Sequence, residues 1–427
     1  ATGKVVSHIC YNKEMIMKRV LILGANAETV SLINKAREMG IYTIVTDYTP
    51  GAYAKDFSDS SFDIDATDID ALGKLAINEK VDGILVGVAE ALIPTYCELC
   101  SRLKLPCYLT ENQNSILSNK INFKNACKKY GVSTPPLCEN INNPIFPIII
   151  KPTDSSGSKG ITVCNSETDV ENAVKKAVSY SKEGKYIAEQ YISGDEFIAY
   201  FVIVNGEPFF VGCCDRYVFR EDSGDVQLPI SYIFQSKYTK MFYRQQRLLL
   251  ENFIKKLKLK YGSIFFQGIV KKDGGFIFYE AGYRLNGAQE HILLSELYGI
   301  DAKELYIKYS LEGDKCDIRI TAPDVINDTR VGCKLSPIIM PGRIQTIEGL
   351  DEIRSMEDVV EVLPSYRAGD IVVDKGTLKQ IVCRFYIVAA DHKKLREDIH
   401  RILKLFEVKD EQGRSMIIST FTEGFSE

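Results

Sequence analysis

Three stretches of the chain combine residue types and spacings that can do chemistry on a phosphorylated ligand. In the first, Lys151-Pro152-Thr153-Asp154-Ser155-Ser156-Gly157-Ser158-Lys159-Gly160, a lysine ending an apolar run is followed by small hydroxyl and glycine residues. Such a loop can aim N–H and O–H donors at phosphate oxygens while the lysine supplies charge. It is not a Walker A loop, since no G-x-x-x-x-G-K-[ST] occurs in the chain, and an ordinary Ser/Gly surface loop has the same composition. In the second, Glu189-Gln190-Tyr191-Ile192-Ser193-Gly194-Asp195-Glu196, two acids flank a strand end. Backbone groups of Gln190 and Ile192 can read an adenine edge, and Glu196 can accept from ribose hydroxyls. Solvated carboxylates on a strand are the plain alternative.

The third stretch runs from Phe265 to Glu280 and continues as Ala281-Gly282-Tyr283-Arg284-Leu285-Asn286-Gly287. Apolar runs on either side of Asp273-Gly274 read as a hairpin with a two-residue turn, in which Lys272 pairs with Gly275. That register sets Gln267 directly opposite Glu280 on one face of the sheet. Two oxygen donors on neighbouring strands suit a Mg²⁺ ion that bridges nucleotide phosphates. A guanidinium at Arg284 can hold a transferring phosphoryl group, while a surface salt bridge between Glu280 and Arg284 is the structural alternative.

These residues need elements to position them. Val20–Leu23, Tyr42–Asp47 and Gly83–Gly87 read as strands, with helical patterns at 28–39 and 72–80 between them, which predicts a parallel sheet with helices on both faces. Gly24-Ala25-Asn26-Ala27-Glu28-Thr29 lacks the second and third glycines of a dinucleotide fingerprint, which argues against NAD or FAD. A helix is expected over 118–130, with Gly131 as its stop and Pro135-Pro136 beyond. Strands follow at 148–151 and 186–192 around a helix at 170–180. A hairpin turns at Asn205-Gly206, a helix spans about 242–260, and helices at 292–298 and 302–310 close this part. From about Cys316 the chain again mixes strand and helix, including an amphipathic helix at 395–406. Glu290 and His291 can orient or deprotonate an amine, or begin the helix after them as solvated or capping residues.

Composition bounds the class. The chain has 427 residues, 45% hydrophobic and 26% charged, a balance that belongs to a folded protein of about three domains. A net charge of -4 gives no basic field for nucleic acid or anionic lipid. Twelve cysteines lie scattered among apolar runs, as reduced thiols in the cytoplasm would. The single CxxC at Cys97 and Cys100, with Cys107 nearby and four histidines in all, is a poor zinc pattern. No apolar stretch is long enough to cross a bilayer, and residues 1–16 hold no uninterrupted apolar segment of the kind a secretory signal needs. Those sixteen residues read as an extension or cloning remnant before Met17-Lys18-Arg19-Val20.

Taken in order, Lys120, Lys151, the Ser/Gly loop, the segment from Glu189 to Glu196 and the hairpin ending in Glu280 and Arg284 resemble the ATP-grasp superfamily. The resemblance covers roughly residues 18–315. It implies that Lys120 and Lys151 contact phosphates and that residues 154–160 (Ser155, Ser156, Gly157, Ser158 and Gly160 among them) fold over those phosphates. Glu189, Gln190, Tyr191, Ile192 and Glu196 fall at adenine and ribose positions. Glu280 matches the main Mg²⁺ carboxylate, and Arg284 the arginine of the E-x-N-x-R segment. Two positions depart from the pattern: Gln267 stands where the family has a first metal carboxylate, and Gly282 where it has a metal-facing Asn. Asn286 is expected to substitute in part. Pro341-Gly342-Arg343-Ile344, Gly349-Leu350, Gly369-Asp370 and Gly413 look like the lid-like domain of the L-amino-acid ligase branch, and biotin carboxylase has a comparable layout.

The resemblance implies an α/β and α+β multidomain fold. Its parts are a Rossmann-like pre-ATP-grasp domain at 17–113, a two-lobed ATP-grasp domain at 114–315 with a small lobe near 133–200, and a mixed α+β lid domain at 316–427. The implied function is a carboxylate–amine ligase that uses ATP with Mg²⁺ (or Mn²⁺) and passes through an acyl phosphate, with Lys151, Arg284 and Asn286 as catalytic residues. Its partners are a small-molecule carboxylate and amine, with no nucleic acid and no membrane; the oligomeric state, a homodimer included, stays open. A bicarbonate-dependent carboxylase and a nucleotide-binding protein that has lost turnover are the alternatives.

Overall fold

The structure is a computed structural model and describes residues 17–155, 157, 159–220, 227–373, 375–419 and 421. The expected extension at 1–16, and Ser156 and Ser158 of the phosphate loop, lie outside the described residues.

Strands Arg19–Leu23, Tyr42–Thr46, Ser60–Phe62 and Gly83–Val86 form one sheet in which every pairing is parallel. The first strand lies centrally, between the second and the fourth. Chain direction across the sheet therefore reverses beside the first strand, and the loops that leave the first and fourth strands open on one edge. Such a switch point is where open α/β sheets place ligand-facing residues, and these two loops carry Glu28 and Glu90. Gly83 lets this unit sit tightly on the helix Ala302–Glu312, because a Cβ there would come within 2.6 Å of the Ser310 carbonyl oxygen.

The helix expected over 118–130 spans Lys120–Tyr130, and a further helix precedes it. Thr110 and Gln113 make a reciprocal capping box on Glu111–Ser118, and Asn119 then caps Lys120–Tyr130. The capping box satisfies two orphan helix donors at once and starts a helix earlier than the apolar pattern shows. Lys120 thus becomes the first residue of its helix. The expected helix at 242–260 is two, Thr239–Gln245 and Arg247–Lys256.

A small antiparallel sheet, Thr162–Cys164, Ile148–Pro152 and Tyr186–Gln190, packs under the helix Glu167–Tyr180 with its own core of Ile148, Ile150, Cys164, Ala173, Ala177 and Ala188. Beside it runs an eight-stranded antiparallel sheet. Its order is Phe276–Tyr283, Gly262–Val270, Asp195–Val204, Glu207–Arg220, Gln227–Phe234, Val331–Leu335, Cys383–Ala389 and Val359–Pro364. Asn205 and Gly206, with φ of 52° and 79°, make the tight turn between the third and fourth of these, matching the right-handed twist of the strands. The last three strands come from residues beyond 316, so the C-terminal part extends the same sheet, and its core includes Leu228, Ile230 and Ile233. Among the described residues no helix is long and apolar enough to cross a membrane, and every cysteine is a free thiol.

Candidate active site

The residues expected to contact phosphate converge where the small sheet faces the large one. Lys120 donates through Nζ to the Ser155 carbonyl at 2.6 Å, which ties the helix N-terminus to the loop after Lys151. Burial pushes the Lys120 ammonium down, opposed chiefly by the Glu280 carboxylate. Lys120, Ser155, Tyr279, Glu280 and Glu90 line one cavity. Gly157 in the same loop is exposed, whereas Gly160 is wedged against Pro152 and Tyr180, where a Cβ would approach to 2.8 Å.

Glu189 is neither at an exposed strand end nor solvated. It is 2% exposed, and its two carboxylate oxygens meet Lys124 at 2.7 Å and Lys151 at 2.6 Å. Burial pushes its carboxyl up, but the two ammonium groups outweigh burial and hold it below the ordinary carboxylate value. Lys151, itself 5% exposed, also lies 5.6 Å from the centre of the Tyr279 ring. Lys124 is a site residue the sequence did not flag; its signal is only a helical spacing of four from Lys120. The Gln190 N–H donates to Pro136 O at 2.9 Å and the Tyr191 N–H to Pro147 O at 3.1 Å. The Gln190 N–H is thus used within the protein and is not the backbone group left to read a base, while Ile192 lies just beyond the strand end. Glu196 accepts from Tyr279 at 2.7 Å and from Arg216 at 3.1 Å, a partner that spacing did not reveal.

The hairpin brings Gln267 opposite Glu280 as expected, by a different route. Val270 pairs with Phe276 and Lys271 N–H donates to Gly275 O, so the tip is one residue longer than a two-residue turn. A bulge between Gln267 and Gly268 in the register then takes up the extra residue, Tyr279. Because a bulge leaves one residue unpaired and re-aims side chains, Tyr279 and Glu280 both face the cleft. Among the described residues the Glu280 and Gln267 side chains make no hydrogen bond or ion pair, and no group of three or more His, Cys, Asp or Glu is arranged to hold a metal. Gly282 also has a packing reason. A Cβ there would lie 2.2 Å from the Phe265 ring, so Phe265 occupies the space an Asn side chain would need.

Arg284 does not pair with Glu280. Its guanidinium donates to Glu90 Oε2 at 2.8 and 3.3 Å, stands 5.4 Å from the Phe265 ring centre and donates to Leu285 O. Glu90, delivered by the first unit, is a second residue sequence reasoning missed. Asn286 is not beside Glu280 and Gln267. Its Oδ1 accepts from the Ala288 N–H, and it lines an inner cavity with Arg284, Glu290 and His291. Glu290 and His291 are buried, and Glu290 makes no side-chain cap to the helix His291–Tyr298. Glu290 Oε1 accepts from the Tyr200 hydroxyl at 2.7 Å, while Oε2, both ring nitrogens of His291 and Asn286 Nδ2 are buried without a partner. Burial pushes the Glu290 carboxyl up and the His291 imidazole well down, towards their neutral forms.

Residues 145–290 match the family model of the ATP-grasp domain. The chain carries an ATP-grasp domain. This match spans Lys151, the adenine-side segment, the Gln267–Glu280 pair, Arg284 and Glu290. The formate-dependent phosphoribosylglycinamide formyltransferase of Burkholderia thailandensis is 24% identical over 227 residues, 50% of this chain and 56% of that protein. The D-alanine–D-alanine ligase of Fusobacterium nucleatum is 35% identical over 99 residues, 23% of this chain and 32% of its own. The chain thus spans about half the length, or less, of these curated relatives. Among solved structures, the L-amino acid ligase from Bacillus licheniformis superimposes with a TM-score of 0.76 at 16% identity, covering 92% of this chain and 99% of the other. The biotin carboxylase domain of the Hydrogenobacter thermophilus 2-oxoglutarate carboxylase, solved with MgADP and bicarbonate, gives 0.75 at 17%, covering 92% and 90%. At these identities the likeness shows a shared multidomain fold.

Proposed function

We propose that this cleft is the active site of an ATP-dependent carboxylate–amine ligase that releases ADP and phosphate. The observation that carries the reading is the placement of Glu280 and Gln267 side by side on neighbouring strands, with Glu280 sharing a cavity with Lys120. The donor set suits Mg²⁺, or the similar Mn²⁺: hard oxygens, one of them charged, with the remaining positions left to phosphates and water. Glu280 and Gln267 would hold the ion, which when bound neutralises charge on the nucleotide phosphates.

In the proposed reaction a substrate carboxylate oxygen attacks the γ-phosphorus of ATP. The O–P bond of an acyl phosphate forms as the bond to the bridging oxygen breaks and its electron pair leaves with ADP. Lys120, Lys151 and Arg284 are positioned to neutralise charge on the moving phosphoryl group, where catalysis of phosphoryl transfer gains most. Glu189 acts on this step by holding Lys151, and Glu90 by holding Arg284. The loop at 154–160 closes over the phosphates and excludes water, so that the acyl phosphate meets an amine first. The amine nitrogen then bonds the acyl carbon, phosphate departs, and an amide or peptide bond remains.

The test is ADP and phosphate release across pairs of carboxylates and amines, with hydroxylamine as a trap that converts an acyl phosphate to a hydroxamate. ATP binding with no turnover on any carboxylate would overturn the ligase reading. Burial of Glu290 within reach of the Arg284 charge favours a second reading, a bicarbonate-dependent carboxylase. That reading expects ADP release driven by bicarbonate with no other acid added.

A further inference from the structure

The eight-stranded sheet carries a polar row across its cleft face. Glu196 pairs with Arg216; Arg216 stands opposite Tyr232, Tyr232 opposite Lys334, and Lys334 opposite Tyr386. Arg384, two residues before Tyr386 on the same strand, faces the same way. Every charge in this row except one is matched inside the protein. Arg216 has Glu196, and Arg384 reaches Glu28 of the first unit at 2.7 Å.

Lys334 is the exception. It is 1% exposed, and among the described residues its ammonium meets the Tyr232 ring, 4.4 Å from the centre, and no carboxylate at ion-pair distance. An ammonium out of water without a counter-charge is costly, and two neighbouring cations, Arg384 and Arg216, add to that cost. The nearby acid is Glu290, whose Oε2 is also buried without a partner. The row thus contains a cation that makes no ion pair among the described residues, four strands along the sheet from Gln267.

We propose that Lys334 binds an anionic group, carboxylate or phosphate, of the substrate that lies along this face, and so determines which substrate is accepted. The inference rests on the ligase reading for the identity of the site. Its chemistry is narrower: the bound molecule carries a fixed anion besides the group that reacts.

The test uses the full chain loaded with Mg²⁺ and AMP-PNP, so that the γ-phosphate position is filled. Calorimetry is run against L-amino acids beside their amides, and against phosphoethanolamine beside ethanolamine, each counterpart keeping the ammonium and lacking the anion. One anion-bearing series is expected to bind, its anion-free counterparts to bind at least tenfold more weakly, and the series that binds separates carboxylate from phosphate. Lys334→Met is expected to lose at least tenfold in affinity for that series and Lys334→Arg to recover part of it. AMP-PNP affinity should stay unchanged and the melting temperature of Lys334→Met should be no lower than that of the parent. Binding that survives in Lys334→Met, equal binding of the anion-free counterparts, or no binding by any anion-bearing member overturns the proposal. Hydroxamate formation on the same proteins separates the two readings. Acyl phosphate made by an enzyme indifferent to Lys334→Met sinks this inference alone, and Lys334-dependent anion binding without any acyl phosphate sinks the ligase alone.

Discussion

The two ends of the cleft treat buried charge in opposite ways. At the nucleotide end, Glu189 sits between Lys124 and Lys151 with both oxygens occupied. At the far end, Glu290 Oε2, the His291 ring nitrogens and Asn286 Nδ2 have no partner, and the Lys334 ammonium has only an aromatic face. The Glu189 cluster is ion-paired before any ligand arrives and can hold Lys151 for a ligand of constant shape, whereas Glu280 and Gln267 beside it have no partner among the described residues. The far end bears the cost of unmade interactions until a ligand supplies them, so it is the end whose chemistry distinguishes one substrate from another.

The contrast breaks most visibly at Glu189. Glu189→Ala leaves two lysines buried without their acid, and a loss of about 3–5 kcal/mol is expected in urea unfolding. A loss below about 1 kcal/mol would mean that the nucleotide end is not built as an internally neutral unit. Next in size is the metal pair. Glu280→Gln is expected to lower turnover on the order of 10²–10³-fold, as removing one charge-stabilising group does elsewhere. Gln267→Glu should lower the Mg²⁺ concentration needed for half-maximal nucleotide binding, since it adds a second carboxylate. No change in either variant would place the ion elsewhere.

A smaller effect separates the ends by pH. Burial first, then Arg384 and Arg216, push the Lys334 ammonium down to about 7, with Glu290 opposing. Tyr232, Tyr386 and Cys333 are the other titratable groups around it. Because the folded value lies below the ordinary 10.5, the unfolded chain binds the extra proton between those pH values. Stability is therefore expected to rise from pH 7 towards pH 10, on the order of 2–3 kcal/mol more in the parent than in Lys334→Met. Parallel pH curves for the two proteins would remove Lys334 from the set of uncompensated charges. The smallest change is expected for Glu290→Gln, which keeps the Tyr200 contact while removing a half-satisfied carboxylate. Its stability should stay within about 1 kcal/mol of the parent or exceed it.

Much of the scaffold was legible in the sequence because its elements announce themselves locally. The parallel strands, the Asn205-Gly206 turn and the opposition of Gln267 and Glu280 all follow from apolar period and turn residues. The helix Glu111–Ser118 went unread, and Thr239–Gln245 was merged with Arg247–Lys256, because a capping box at Thr110 and a break at Gln246 are weaker signals than an apolar stripe. The site was legible only where its residues lie near one another in the chain. Glu90 reaches Arg284 across 194 positions, and Arg384 reaches Glu28 from the opposite end of the sequence. Lys334 lies inside Val-Gly-Cys-Lys-Leu, a run that reads as buried strand and gives no hint that its one cation is buried without an ion pair among the described residues. Glu189 shows the converse: its position pointed to ligand binding, whereas its ion pairs make it the support of a neighbouring lysine.

The bulge at Tyr279 has a consequence for how the hairpin keeps its register. A strand pair transmits every insertion at its turn along its whole length, since a slip of one residue turns each side chain to the other face. Here the irregularity lies between the tip and the metal pair, so it acts as a clutch. The tip is one residue longer than a two-residue turn, and that mismatch is taken up at Tyr279 before it reaches Gln267 and Glu280, so the pair beneath keeps its alignment.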